Sequence, residues 1–184
     1  MSMIQSRNSQ LIATSSLDTL ILDPLPPETR ARLLRFPVGV QDSMLLPLEQ
    51  IAEILKIDVT EILPVPEMPN CVLGICNWRG EMLWLVDFNS FVGYPSLFQL
   101  EPTSTSIAVI VVQIHNQSLG LGVQQVNDIE LHDLQQLQSV PVGLFPPDLL
   151  PLIRGTLPGC SDAVLDLQDI IHCPLWKKHQ QGEP

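Results

Sequence analysis

Residues 64–93, PVPEMPNCVLGICNWRGEMLWLVDFNSFVG, carry the pattern that most narrows the fold. Pro66 and Pro69 end one segment and lead into the apolar run 71–76; Asn77-Trp78-Arg79-Gly80 follows, a second apolar run fills 82–86, and a short segment runs from Asp87 to Gly93. Runs this short, rich in Val, Leu, Ile and Trp, suit strands rather than helices of ordinary length. Asn and Gly in the connection tolerate positive φ at little cost, so the stretch reads as a β-hairpin. Arg79 falls in its turn, a fixed charge with a planar fork of donors between two hydrophobic strands.

Short apolar runs recur along the chain. Strands are expected at 33–36, 44–48, 62–65, 107–114, 119–126, 152–157 and 163–167, with a short helix over 167–171. The run IAVIVVQI at 107–114 is nearly all apolar, the mark of a strand buried on both faces. Gly120 and Gly122 inside the next strand signal a bulge or a close backbone approach. Ile51, Ile54 and Leu55 have helical spacing, which locally favours a helical turn, and the element over 48–56 is left open. Residues 94–106 read as a polar loop, and Pro141, Pro146, Pro147 and Pro151 rule out long elements around 127–150. Trp84 shares parity with Met82 and Val86 and is expected in the core. Trp78, in the turn, is hard to bury and is expected to anchor a partner, because Trp is over-represented among interface hot spots.

Before the first strand lies a polar stretch and then a small apolar island, Leu17, Leu20, Ile21 and Leu22, which Ser16 could cap and Pro24, Pro26 and Pro27 would stop. It either docks on its own domain or binds a partner in trans. Hydrophobic residues make up 45% of the chain and charged ones 16%, enough for a substantial core and too little charge for wholesale disorder. A net charge of −11 makes nucleic acid and anionic membranes poor partners. No apolar run approaches the ~20 residues that span a bilayer, and the start of the chain does not read as a signal peptide. A soluble, cytoplasmic protein is therefore expected, without direct membrane insertion.

No catalytic constellation emerges: there is no phosphate-binding glycine loop, no G-x-S-x-G elbow and no H-E-x-x-H. The four histidines stand apart, and His172-Cys173 lacks a third ligand, so neither a metal nor a cofactor is expected. The four cysteines lack C-x-x-C spacing, and Cys71 and Cys76 have opposite strand parity, so reduced thiols are expected.

The spaced set Pro69, Val72, Gly74, Asn77, Arg79, Gly80, Leu83, Val86, Asp87 and Gly93 resembles the signature of CheW-like domains. The resemblance covers about residues 31–175, leaving an extension over 1–30 and a tail over 176–184. It implies an all-β fold of two small five-stranded SH3-like barrels packed together, with short helices. It also implies a non-enzymatic adaptor that couples methyl-accepting chemo- or photoreceptors to a CheA-type histidine kinase in two-component control of motility. Carried over by residue, it places Ile51, Glu53, Gly74, Asn77, Arg79, Gly80 and Gly120 in regions that contact receptor or kinase, and Trp78 joins them on the reading above. For Arg79 a salt bridge or carbonyl contact that merely holds the turn remains the alternative. A diverged regulatory or structural protein that binds another partner through residues 1–30 is the alternative for the whole.

Overall fold

The structure, a computed structural model, describes residues 30–171; the island at 17–22, His172-Cys173 and the C-terminal tail lie outside the described residues. Strands β1 (Arg30–Val38) and β2 (Asp42–Pro47) form a hairpin. The chain then builds a second sheet from β3 (Ile51–Asp58), β4 (Val72–Trp78), β5 (Glu81–Asp87), β6 (Ser106–Ile114) and β7 (Gln117–Val123), and returns to the first with β8 (Ile129–Asp133), β9 (Ile153–Thr156) and β10 (Ala163–Leu165). The strand orders are β8-β1-β2-β10-β9, here barrel A, and β3-β6-β7-β5-β4, here barrel B.

Each sheet curls far enough for its two ends to meet. Leu63, just beyond β3, exchanges backbone hydrogen bonds of 2.8 and 2.9 Å with Ile75 of β4; Gln138, just beyond β8, exchanges bonds of 2.9 and 3.0 Å with Thr156 of β9. These isolated bridges cover sheet edges that would otherwise present unpaired N–H and C=O groups. The expected architecture of two five-stranded barrels is the one observed.

Strand alternation sorts the apolar residues into three cores. Along β6, Ile107, Val109 and Val111 point into barrel B, whereas Ile110 and Val112 point into a larger cluster shared with barrel A. This strand is buried on both faces, as its unbroken apolar run requires. On β5, Leu83 and Leu85 fill barrel B while Val86 and part-buried Trp84 face the shared cluster. From barrel A the shared cluster receives Leu34, Phe36, Val38, Met44 and Leu46, leaving Leu33, Leu45, Leu157 and Val164 for that barrel's own interior. Phe36 meets Phe88 edge-on across the junction, with ring centroids 5.6 Å apart. Each such large side chain contributes roughly 1.5–3 kcal/mol on burial, so the two barrels form one cooperative body.

Asp87 organises the end of the central hairpin. Its buried carboxylate accepts from Ser90 N (3.0 Å), capping helix α1 (Phe88–Phe91), and from Leu97 N (2.8 Å) at the start of helix α2 (Leu97–Leu100). Burial pushes its carboxyl pKa up, and hydrogen bonds from Ser90, Leu97 and Asn89 partly offset this. The chain's last described element is helix α3 (Gln168–Ile171).

Several expectations change. Residues 48–50 form a 3-10 turn and 51–58 a strand, which settles the open segment. The expected strand at 62–65 reduces to the single bridge at Leu63. Strand β8 and helix α2 arise in segments read as irregular. Met82 lies on the face of Trp84 and Val86 but is not buried with them; it is 78% exposed, because β5 extends past the edge of the shared core.

Candidate partner-binding surface

The β4–β5 turn is two residues long: Trp78 pairs with Glu81, leaving only Arg79 and Gly80 between the strands. Both have positive φ, 54° and 85°, as in a type I′ hairpin turn, whose first position ordinarily favours Asn, Asp or Gly. An arginine in left-handed backbone costs about 1–2 kcal/mol. Its side chain, rather than its turn propensity, must account for its place. Asn77 steadies the turn by accepting from Gly80 N through Oδ1 at 3.2 Å.

Arg79 donates from Nε (3.1 Å) and Nη2 (2.9 Å) to one oxygen, Oε2 of Glu53, and its guanidinium carbon lies 5.0 Å from the centre of the Trp78 ring. The indole N–H of Trp78 donates to the same Oε2 at 2.9 Å. Trp78 donation above all, with the positive charge and hydrogen bond of Arg79, holds the Glu53 carboxyl below its ordinary pKa; desolvation, second only to Trp78, opposes them. Arg79 stays 64% exposed and Glu53 34% exposed. The cluster sits at the rim of barrel B beside an open groove lined by Leu55, Lys56, Ile57, Glu61 and Cys76.

The sequence-derived set therefore divides. Glu53, Asn77, Trp78, Arg79 and Gly80 come together. Trp78 is not the accessible anchor expected of it: as the last residue of β4 it points into barrel B and is only 9% exposed. Ile51 faces elsewhere. A bulge between Ile51 and Glu53 aligns Ile51 with Val112, on the shared-core side, and Glu53 with Val111, on the barrel B side.

Gly74 and Gly120, expected at a partner surface, are buried packing positions. A Cβ on Gly74, whose φ is 138°, would stand 2.2 Å from the Leu63 carbonyl oxygen, inside the bridge that closes barrel B. A Cβ on Gly120 would stand 2.4 Å from Leu85 Cδ2.

Two apolar surfaces escaped the sequence reading. On the outer face of barrel B, Leu63, Ile75 and Trp84 lie in register across three strand segments, with exposed Met82 two residues from Trp84 on the same face. A shallow groove lined by Ile54, Leu55, Ala108 and Val126 runs along the other side of β3 and β6, and Ile129 and Leu131 are exposed on β8.

A second arginine cluster also went unnoticed. Arg35 of β1 makes a bidentate pair with Glu130 of β8 (Nε–Oε1 2.7 Å, Nη2–Oε2 3.0 Å) and a further bond to Asp162 (Nη1–Oδ2 2.7 Å). His132 Nε2 lies 2.7 Å from Glu130 Oε2. Arg35 first, and His132 second, hold Glu130 down at about 2. The alternation Ile129, Glu130, Leu131, His132 was the available signal: the polar pair faces inward on the side of Arg35 and the apolar pair faces out.

The family model described as the CheW-like domain matches residues 32–159. The chain is 35% identical over 82 residues to the chemotaxis protein CheW of Rhizobium meliloti (strain 1021), a stretch that covers 45% of this chain and 50% of that protein. The chain thus spans about half the length of the curated relative it matches. The crystal structure of the scaffolding protein TtCheW from Thermoanaerobacter tengcongensis is similar with a TM-score of 0.62 at 20% identity, over 75% of this chain and 90% of that one. That likeness is one of fold.

Proposed function

This chain belongs to the CheW-like domain family, and from that premise we propose that it is a non-enzymatic adaptor coupling a methyl-accepting receptor to a CheA-type histidine kinase in the two-component control of motility. The observation that carries the reading is Arg79: a mostly exposed guanidinium, kept in a strained turn and pinned at the barrel rim by Glu53. A side chain with no partner to meet would give little in return for that backbone cost. An adaptor also needs separate faces for its two partners. The row Leu63, Ile75, Trp84 and Met82, and the groove beside Ile54, supply apolar area on different sides of barrel B. Among the described residues no helix is long and apolar enough to cross a membrane.

The test measures affinity of the purified chain for the CheA-type kinase and for a receptor signalling fragment, with Arg79→Ala in parallel. The expected result is binding of both by the parent, and about tenfold or greater weakening toward one of them in the variant, the range of an interface arginine hot spot. Unchanged affinity for both would remove Arg79 from the interface. Binding of neither, together with an unrelated partner lost on deleting residues 1–30, would favour the alternative of a regulatory protein acting through its extension.

A further inference from the structure

We propose that Trp78 is a positioning residue: its indole N–H fixes Glu53 and its ring face supports Arg79, so that the guanidinium meets a partner in one preset orientation. The inference rests on the reading of Arg79 as a partner contact and specifies how that contact is prepared.

An exposed glutamate–arginine pair is ordinarily weak and mobile, because two long side chains must be ordered together in high dielectric. Here Glu53 Oε2 receives three donors, and only one of them comes from a buried, immobile group. Trp78 belongs to the buried cluster that fills the interior of barrel B, with Cys76 and Leu83 among its members, so its N–H is a fixed point at the rim. Glu53 is held by that point, and Arg79 is held by Glu53 and by the ring beneath it, at a distance suited to a cation–π contact. Trp78 thereby orders the exposed arginine while offering a partner almost no surface of its own. Ordering a contact residue before the encounter removes an entropic penalty from binding. A phenylalanine would supply the ring face but not the N–H, and a leucine would supply neither.

The experiment uses the full chain carrying Trp78→Phe, Arg79→Ala and both together. It reads the Glu53 carboxyl titration by carbon-13 NMR, and the affinity for the CheA-type kinase and the receptor fragment. Trp78→Phe should raise the Glu53 pKa toward its ordinary value and weaken the Arg79-dependent partner about three- to tenfold, as expected for loss of one charge-assisted hydrogen bond at a part-exposed site. In the Arg79→Ala background it should weaken binding no further. An unmoved Glu53 titration would overturn the proposal by itself, and so would full affinity in Trp78→Phe while Arg79→Ala binds poorly. If Arg79→Ala binds both partners normally, the site reading fails and the positioning role falls with it. Should Trp78→Phe not fold, Glu53→Ala breaks the same link from the exposed end and must reproduce the three- to tenfold loss.

Discussion

Barrels A and B are one strand plan under a circular shift. Counting barrel B from β3 to β7, and barrel A as β8, β9, β10, β1, β2, each lays its first strand beside its fourth, the fourth beside the fifth, the fifth parallel to the third, and the third beside the second. In each, the first strand ends on an aspartate, Asp58 or Asp133, whose carboxylate caps a 3-10 turn, and the chain then makes the closing bridge. Each also ties its first strand by charge to the loop between its second and third strands. Barrel B joins Glu53 to Arg79; barrel A joins Glu130 to Asp162 through Arg35. The difference is how far the arginine is spent. Arg35, 23% exposed, is bound by two carboxylates from two elements; Arg79, 64% exposed, gives two donors to a single oxygen. One clamp engages all three guanidinium nitrogens within the molecule, and the other leaves most of its guanidinium open to solvent.

The closures should show the largest effects. Gly74 precedes Ile75 in the barrel B bridge, and Gly155 precedes Thr156 in the barrel A bridge. A Cβ at Gly155 would stand 2.9 Å from the Gln138 carbonyl oxygen, against 2.2 Å from that of Leu63 at Gly74, where φ is also left-handed. Gly74→Ala is expected to cost about 3 kcal/mol or more, and Gly155→Ala roughly half as much, as overpacking against backbone. Denaturant melts of the two variants compare them directly, and equal losses would mean that the Gly74 conformation adds nothing to the clash.

Arg35→Ala comes next. It strands Glu130 and Asp162 side by side without their cation, so a loss of about 2 kcal/mol is expected, below the value for a fully buried pair because all three groups keep some solvent. The same variant should change the acid limb of stability. Glu130 has a folded pKa lowered from 4.5 to about 2, so its stabilisation is whole above about 4.5 and disappears as pH falls from there toward 2. Removing Arg35, the first cause of that shift, should flatten the decline over this window. A melt series from pH 6 to pH 2.5 decides it: an unchanged slope would mean that His132 alone holds the carboxylate.

The contrast between the barrels explains what could be read in advance. Barrel B is contiguous in the chain, and its strands carry short, nearly unbroken apolar runs, so β4, β5, β6 and β7 were legible from pattern alone. Barrel A is split between the two ends of the described chain. Its edge strand β8 turns Glu130 and His132 inward and Ile129 and Leu131 outward, which inverts the usual rule, and it was read as irregular. Arg79 and Glu53 were legible individually, but their meeting depends on the bulge between Ile51 and Glu53, and nothing in the local spacing announces a bulge. Trp78 was misplaced for a related reason. With a two-residue turn it belongs to the strand, and strand parity sends it into the barrel.

Arg79 itself should give the smallest stability effect and the most informative one. Arg79→Ala loses an exposed ion pair and keeps the left-handed backbone, so its Tm should move by less than about 3 °C. Arg79→Gly loses the same ion pair but relieves the φ of 54°, and should be more stable than Arg79→Ala by about 1 kcal/mol. Its stability would then match or exceed that of the parent, while its affinity for the kinase or receptor falls as in Arg79→Ala. A variant at least as stable and less able to bind identifies a residue kept for its partner against the preference of its own turn. Arg35, the corresponding cation of barrel A, has no such substitution available: it sits in a strand, and any neutral replacement takes the cation from both Glu130 and Asp162. If Arg79→Gly instead destabilised the chain as much as Arg35→Ala does, the two clamps would be alike, and Arg79 would be one more internal brace.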